Sequence, residues 1–316
     1  MNKVLKPMKL MLLCMMVVAM LVGCTSHVTS DENRENRVDE KTQNGLYPIT
    51  VTDSYGDEIT LEAEVERLIS VAPNITEMVY ALDAQDKLVG RTDYCTYPEQ
   101  VAEVESIGAI FPPDIEKIIS LEPDLLITSA HFDEESAARL ESAGIKVMSL
   151  YEEFDVEGVY TMLKTLGVVL NRQEEAQAII DEMKATIKIV QTKVEGLEKP
   201  TVYYVVSYGE SGDFSAPENS FVGGLINLAG GKNIVPASDS WFYTLEALLE
   251  ADPEIIIVRK GEKESFMTAP GYSELTAVKE GKVYEIDSDL LDRQSNRNAE
   301  GVLALAKIIH PEAFSQ

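Results

Sequence analysis

The chain has 316 residues, 45% of them apolar and 26% charged, which is ordinary for a soluble globular protein and long enough for two domains with cores of their own. Its formal net charge of −27 argues against nucleic acid as a partner and makes an anionic membrane surface repulsive to the folded part. Outside the N-terminus no run of eighteen apolar residues occurs, so nothing further along predicts a bilayer span.

The first residues read as an address. Lys3, Lys6 and Lys9 form a basic stretch, Leu10 to Val22 is apolar but short, and Leu21-Val22-Gly23-Cys24 sets small residues ahead of a cysteine. This is the pattern of a secretory signal ending in a lipobox, whose cysteine thiol takes a diacylglyceryl group before cleavage. Residues 1–23 are thus expected to be a lipoprotein signal peptide, and losing their three lysines takes the formal charge from −27 to −30. Residues 24–46 are polar and nearly free of apolar side chains, as in a flexible tether. The expected location is the extracytoplasmic face of the cell membrane, anchored through lipidated Cys24. Cys95 is then the only other cysteine left, so a disulfide framework is ruled out.

Pro48 to Leu61 alternates around Tyr55-Gly56-Asp57 and predicts a small hairpin. Strands are predicted at Arg67–Ala72, from Lys87, and at Ile145–Leu150, with helices from Pro73 and over Glu135–Ala143. Val156 to Leu170 is an amphipathic helix, and Gln173 to about Val194 is the longest one. In the latter, Ala176, Ile179, Ile180, Met183, Ile187, Val190 and Val194 recur at intervals of three and four. Thr201–Ser207 predicts a strand, Tyr208–Ser220 a loop, Phe221–Leu228 a helix stopped by Gly230-Gly231, Lys282–Ile286 a strand and Arg297–Ile309 a final helix. Alternating strands and helices imply parallel sheets. The expected architecture is α/β: a lobe over 47–170, a connecting helix over 171–197 and a second lobe over 198–316, with a ligand cleft between the lobes.

One unit occurs twice. Ile115-Glu-Lys-Ile-Ile-Ser-Leu-Glu-Pro-Asp-Leu-Leu-Ile127 returns as Leu245-Glu-Ala-Leu-Leu-Glu-Ala-Asp-Pro-Glu-Ile-Ile-Ile257. Asp114 and Thr244 precede the two copies as capping residues, so each reads as a capped short helix, an acid-Pro stop and a buried parallel strand. Two copies with the same cap, glutamate and proline point to two similar lobes.

Histidine occurs only at positions 27, 131 and 310, too few for a transition-metal site of several imidazoles. No G-x-S-x-G, H-E-x-x-H, P-loop or G-x-G-x-x-G is present, and no nucleophile stands with a base, so the chain is not expected to be an enzyme. What stands in the loops after the strands is aromatic and cationic. The first lobe contributes Arg91, Tyr94, Tyr97, Phe111, His131 and Phe132, and the second Tyr208, Phe214, Trp241, Phe242, Arg259 and Arg293. Open α/β sheets place such loops at the ligand crevice, where rings would cover a bulky ligand and arginines would supply charge.

Arg67-Leu-Ile-Ser-Val-Ala-Pro-Asn-Ile-Thr-Glu, Leu88-Val-Gly-Arg-Thr-Asp-Tyr-Cys-Thr-Tyr-Pro, the repeated unit, Ala229-Gly-Gly-Lys-Asn-Ile and Arg297-Asn-Ala-Glu-Gly follow one another behind the lipobox. In that order they resemble the helical-backbone class of ABC-importer solute-binding proteins, the family that carries iron chelates and cobalamin. The resemblance runs from about Leu46 to Pro311. It implies two α/β lobes on one long helix, with Glu116 and Glu246 as the two docking glutamates that meet the permease dimer, which works with its ATPase. It also implies Tyr94 and Trp241 near the cleft, although the family's first-lobe tryptophans are missing and Phe111 and His131 stand nearby instead. Arg293 and Arg297 match the family's Arg-x-x-x-Arg, with Gln294-Ser295-Asn296 replacing the usual Gly and Pro between them. Four candidate arginines, Arg91, Arg259, Arg293 and Arg297, suit an anionic chelate. The expected protein is therefore a monomeric binding lipoprotein for a ferric siderophore or other iron complex. A corrinoid is the alternative ligand, with haem or an extracellular α/β enzyme behind it. No cofactor is expected, and the protein itself supplies no metal ligand.

Overall fold

The computed structural model describes residues 47–129, 132–151 and 154–315. The signal peptide, the tether, Cys24 and His131 lie outside the described residues.

The predicted hairpin is β1 (Ile49–Thr52) paired antiparallel with β2 (Glu58–Leu61). Next come β3 (Leu68–Ser70), α1 (Pro73–Ala81) and β4 (Leu88–Arg91). The first copy of the repeat supplies α2 (Ile115–Ser120) and β5 (Leu125–Thr128), followed by α3 (Glu134–Ser142) and β6 (Lys146–Ser149). These strands form a parallel sheet in the order β4-β3-β5-β6. All four residues of β5 are buried, as expected of a strand covered on both faces.

Helices α4 (Val156–Val169) and α5 (Gln173–Val194) lead into the second lobe. It holds β7 (Thr201–Ser207), β8 (Phe214–Ser215), α6 (Phe221–Leu228), β9 (Lys232–Asn233), α7 (Leu245–Ala251) and β10 (Ile255–Arg259). Short helices α8 (Lys263–Thr268) and α9 (Thr276–Lys279), strand β11 (Val283–Ile286), helix α10 (Asp289–Asp292) and α11 (Asn298–Ile309) complete it. Strands β11, β10, β7 and β9 run parallel in that order, and β8 lies antiparallel on β7. Strand β8 falls inside the segment expected to be loop. With two residues it has too few side chains to show a period. Helices α8, α9 and α10, of four to six residues, are likewise too short to show a period in the sequence.

The repeat is a structural one. The Asp114 carboxylate accepts the amide of Lys117 at 2.9 Å, and the Thr244 hydroxyl accepts that of Ala247 at 3.2 Å. Both helices end on an acid in the left-handed region, Glu122 at φ 46° and Asp252 at φ 38°. Beyond each proline the next acid anchors the start of the neighbouring strand. Asp124 accepts the amides of Glu66 and Arg67, each at 2.9 Å, and Glu254 accepts the Thr201 amide at 2.8 Å.

Helix α5 is buried at Ala176, Ile180, Met183, Ile187 and Val190, the predicted stripe. One apolar cluster continues through it from Ile75, Leu125 and Leu163 in the first lobe to Tyr204, Leu225 and Leu305 in the second. Where α4 meets α5, a Cβ on Gly167 would lie 2.7 Å from that of Ala176, so glycine is what lets the helices approach. A shared core at the hinge makes wide opening costly, since separating the lobes would expose apolar surface.

Candidate functional site

A cavity of about 880 Å³ lies between the lobes at the carboxyl ends of the strands, where open α/β sheets bind ligands. Pro73 and Asn74 follow β3, Ser129 follows β5, and Tyr151 and Phe154 follow β6. The opposite wall carries Asn219, Asp239, Trp241, Arg259, Asp292 and Arg293.

Backbone contacts hold both walls. On the first, the hairpin turn grips the end of β6: the Asp53 carboxylate accepts the Ser149 amide at 3.1 Å, and the Ser54 hydroxyl accepts the Tyr151 amide at 2.9 Å. The Tyr55 ring lies 5.2 Å from that of Tyr151. On the second, the Ser215 amide donates to the Trp241 carbonyl at 2.9 Å, and Asn219 accepts the Ser238 amide at 2.9 Å. Strand β8 thus positions the segment that carries the tryptophan. Trp241 is 40% exposed and Phe154 67%, so both rings offer apolar surface to a ligand.

Of the ten residues expected to touch ligand, Trp241, Arg259 and Arg293 line this cavity. Tyr94 and Phe111 are exposed on loops of the first lobe, outside the described lining. Phe242 is exposed beside Trp241 and packs edge-on against Phe214, ring centroids 5.6 Å apart. Tyr208 belongs to the packing of the second lobe, 5.1 Å from the Phe266 ring and 5.7 Å from that of Tyr272. Arg91 turns back to the carbonyls of Thr92 and Val101 at the end of its own strand. His131 lies outside the described residues. Asn74, Tyr151 and Phe154 are lining residues that the sequence reading misses. The signal that finds them is the one applied to the other strands: Tyr151 and Phe154 stand between β6 and α4, and Asn74 in the first turn of the helix after β3.

The arginines are engaged. Arg259 donates to Asp292 at 3.1 Å, and Asp292 also accepts the Tyr204 hydroxyl at 2.8 Å. Burial pushes the Asp292 carboxyl above the usual carboxylate range against these two contacts, although 32% of its side chain remains exposed. Arg91 faces Asp93 at 3.8 Å. Arg293 and Arg297 cross to the first lobe and meet one carboxylate, Glu77 on α1, at 2.7 and 3.4 Å.

Glu77 has a fully buried side chain and also accepts the Ser295 hydroxyl at 2.9 Å. Burial pushes its carboxyl up, and the bonds from Arg293 and Ser295 with the nearby Arg297 charge pull it back. Around it Arg293 donates to the Thr96 hydroxyl at 3.1 Å, and the Asn74 amide donates to the Gln294 carbonyl at 3.3 Å. The Arg297 guanidinium lies 3.9 Å from the centroid of the Tyr97 ring. Tyr97 and Arg297 therefore join the lobes at one end of the cleft.

No group of His, Cys, Asp and Glu that could hold a metal ion occurs among the described residues. Nor is any helix among them long and apolar enough to cross a membrane.

Two parallel-sheet lobes on one long helix, with a cleft between them, are the fold of the solved binding proteins that this chain resembles. Residues 68–290 match the family described as periplasmic binding protein. The ABC transporter substrate-binding lipoprotein YvrC of Bacillus subtilis is 30% identical over 96% of each chain. A cobalamin-binding protein of Halobacterium salinarum is 26% identical, covering 84% of this chain and 74% of its own. The periplasmic vitamin B12 binding protein BtuF of Vibrio cholerae has the same fold at a TM-score of 0.69 and 24% identity, over 80% of this chain and 99% of its own. The chain belongs to the periplasmic binding protein family.

Proposed function

We infer that this chain is the substrate-binding protein of an ABC importer and that it takes a metal chelate of low net charge, a corrinoid before an iron complex. It works outside the cytoplasmic membrane. In this reading it is a monomer held there by lipid on Cys24, delivering its ligand to a permease dimer driven by an ATPase. It binds its ligand and does not transform it. Glu116 and Glu246, both exposed in the first turn of a repeated helix, are its two docking handles.

The charge balance of the cleft carries the ligand reading. An anionic siderophore or the carboxylates of haem call for unspent guanidinium groups. Arg91, Arg259, Arg293 and Arg297 each face a carboxylate of the protein. A ligand rich in amides and short of charge would instead be met by rings and by the neutral polar side chains of Asn74, Asn219 and Ser129. The cobalamin-binding relative agrees with this preference. A ferric siderophore is the second reading, favoured by the Arg259 Nε, which is buried without a hydrogen-bond partner in a side chain that lines the cavity.

Trp241 is the only tryptophan, so its fluorescence reports on the cleft wall alone. The soluble part, from about Gly45 onward, is titrated with cobalamins, ferric siderophores and haem. Inner-filter correction and calorimetry guard against the ligands' colour. Saturable quenching by the corrinoid, with no response to the anionic chelates, is expected. Binding of siderophore or haem alone overturns the low-charge reading, and binding of none of them overturns the chelate.

A further inference from the structure

The repeated unit exposes more than its glutamate. Helix α2 buries Ile115 and Ile118, and α7 buries Leu248, which satisfies the face each turns to its lobe. One turn beyond the glutamate, on the same outer face, each helix carries another branched apolar residue. Ile119 is 40% exposed and Leu249, at the equivalent position, is 37% exposed. Neither belongs to one of the core clusters.

The surroundings of these two residues share an acidic character without matching residue for residue: Asp114 corresponds to Thr244, Ser120 to Glu250, and Lys117, which pairs with Glu105, to Ala247. Glu116 and Glu246 have no ion-pair partner among the described residues. The outer faces are acidic, with Asp114 and Glu122 on one and Glu250 and Asp252 on the other. The same caps, left-handed ends and strand anchors hold both copies. Two patches at equivalent positions of the repeat, each pairing an unspent carboxylate with an exposed aliphatic side chain, suit a two-fold partner that offers a basic group beside an apolar depression.

We propose that Ile119 and Leu249 are the apolar anchors of the two docking handles, seated on the two equivalent halves of the permease. Exposed charge pairs contribute chiefly to encounter rate and register, whereas holding the complex needs apolar surface removed from water. The glutamates then align the protein and the aliphatic residues hold it. This inference rests on the importer role proposed above.

The test is docking of the full lipoprotein to its permease complex in nanodiscs, with chelate titration on the same preparations. Ile119→Ser with Leu249→Ser is expected to weaken docking at least about tenfold through faster dissociation. Each single variant should take a similar share, and chelate affinity should stay within twofold of wild type. Both side chains are more than half covered, at 40% and 37% exposed, so the melting temperature of each variant is measured beside docking to separate a folding defect from a lost contact. Wild-type docking by the double variant overturns the anchors. Failure of the wild-type chain to dock overturns both the anchors and the importer role. Docking without binding of any chelate removes only the ligand reading.

Discussion

Removing the Glu77 carboxylate is the sharpest perturbation of the contact between the lobes. In Glu77→Ala, two guanidinium groups whose side chains are only 15% and 11% exposed lose their common partner. Deleting one member of a buried ion pair costs roughly 3–5 kcal/mol. Asp289 at 2.9 Å from Arg293 and Asp287 at 3.4 Å from Arg297 remain, which places the loss at the low end, about 3 kcal/mol. For a domain of this size that is a fall in melting temperature of roughly 6–12 °C. Glu77→Gln keeps the shape and one acceptor, and should cost about 1–2 kcal/mol. Urea titration of the soluble part gives both values. Hydrogen exchange adds a local reading, with faster exchange expected at the amides of residues 293–298 in the alanine variant. A loss under about 1 kcal/mol for Glu77→Ala, with exchange unchanged there, would refute the argument that this carboxylate joins the lobes.

The same group predicts a pH dependence. A carboxyl whose folded value is raised binds its proton more tightly folded than unfolded, so its contribution is full below the unfolded value and is lost as pH rises through the folded one. The stability gap between wild type and Glu77→Gln should therefore narrow from acid toward neutral pH in paired urea titrations, and a gap that widens contradicts the direction. Glu116→Ala with Glu246→Ala should abolish uptake in cells while chelate affinity stays unchanged; normal uptake removes the docking assignment. Cys95 is 2% exposed and lies between the Thr76 and Thr92 hydroxyls, 3.1 and 3.3 Å from its sulfur. In the soluble part it should resist a disulfide reagent until denatured and then release one equivalent of thiol. Rapid reaction of the native protein would show the loop over it to open.

The sequence by itself determined the elements whose side chains repeat with a period. Helix α5 and helix α6 occupy the residues their patterns predict, and β7 spans Thr201–Ser207 as read. The duplicated helix-stop-strand unit was legible down to its caps, because a cap and the amide it bonds lie three residues apart. From these followed two lobes and a cleft at the strand ends. Which side chains line that cleft was decided by the tertiary structure. Tyr208 and Trp241 are both aromatic residues in loops of the second lobe, yet one packs on Phe266 and Tyr272 and the other faces the cavity. Nothing local separates them, since the difference lies in where β8 carries the chain. The arginines make the point most clearly. The sequence pattern offers Arg293 and Arg297 as free cations for an anionic ligand, but Glu77, more than two hundred residues earlier, holds both. Local patterns record what a residue does for its own helix or strand, whereas the neutralisation of a charge depends on which distant carboxylate the packed lobes bring beside it.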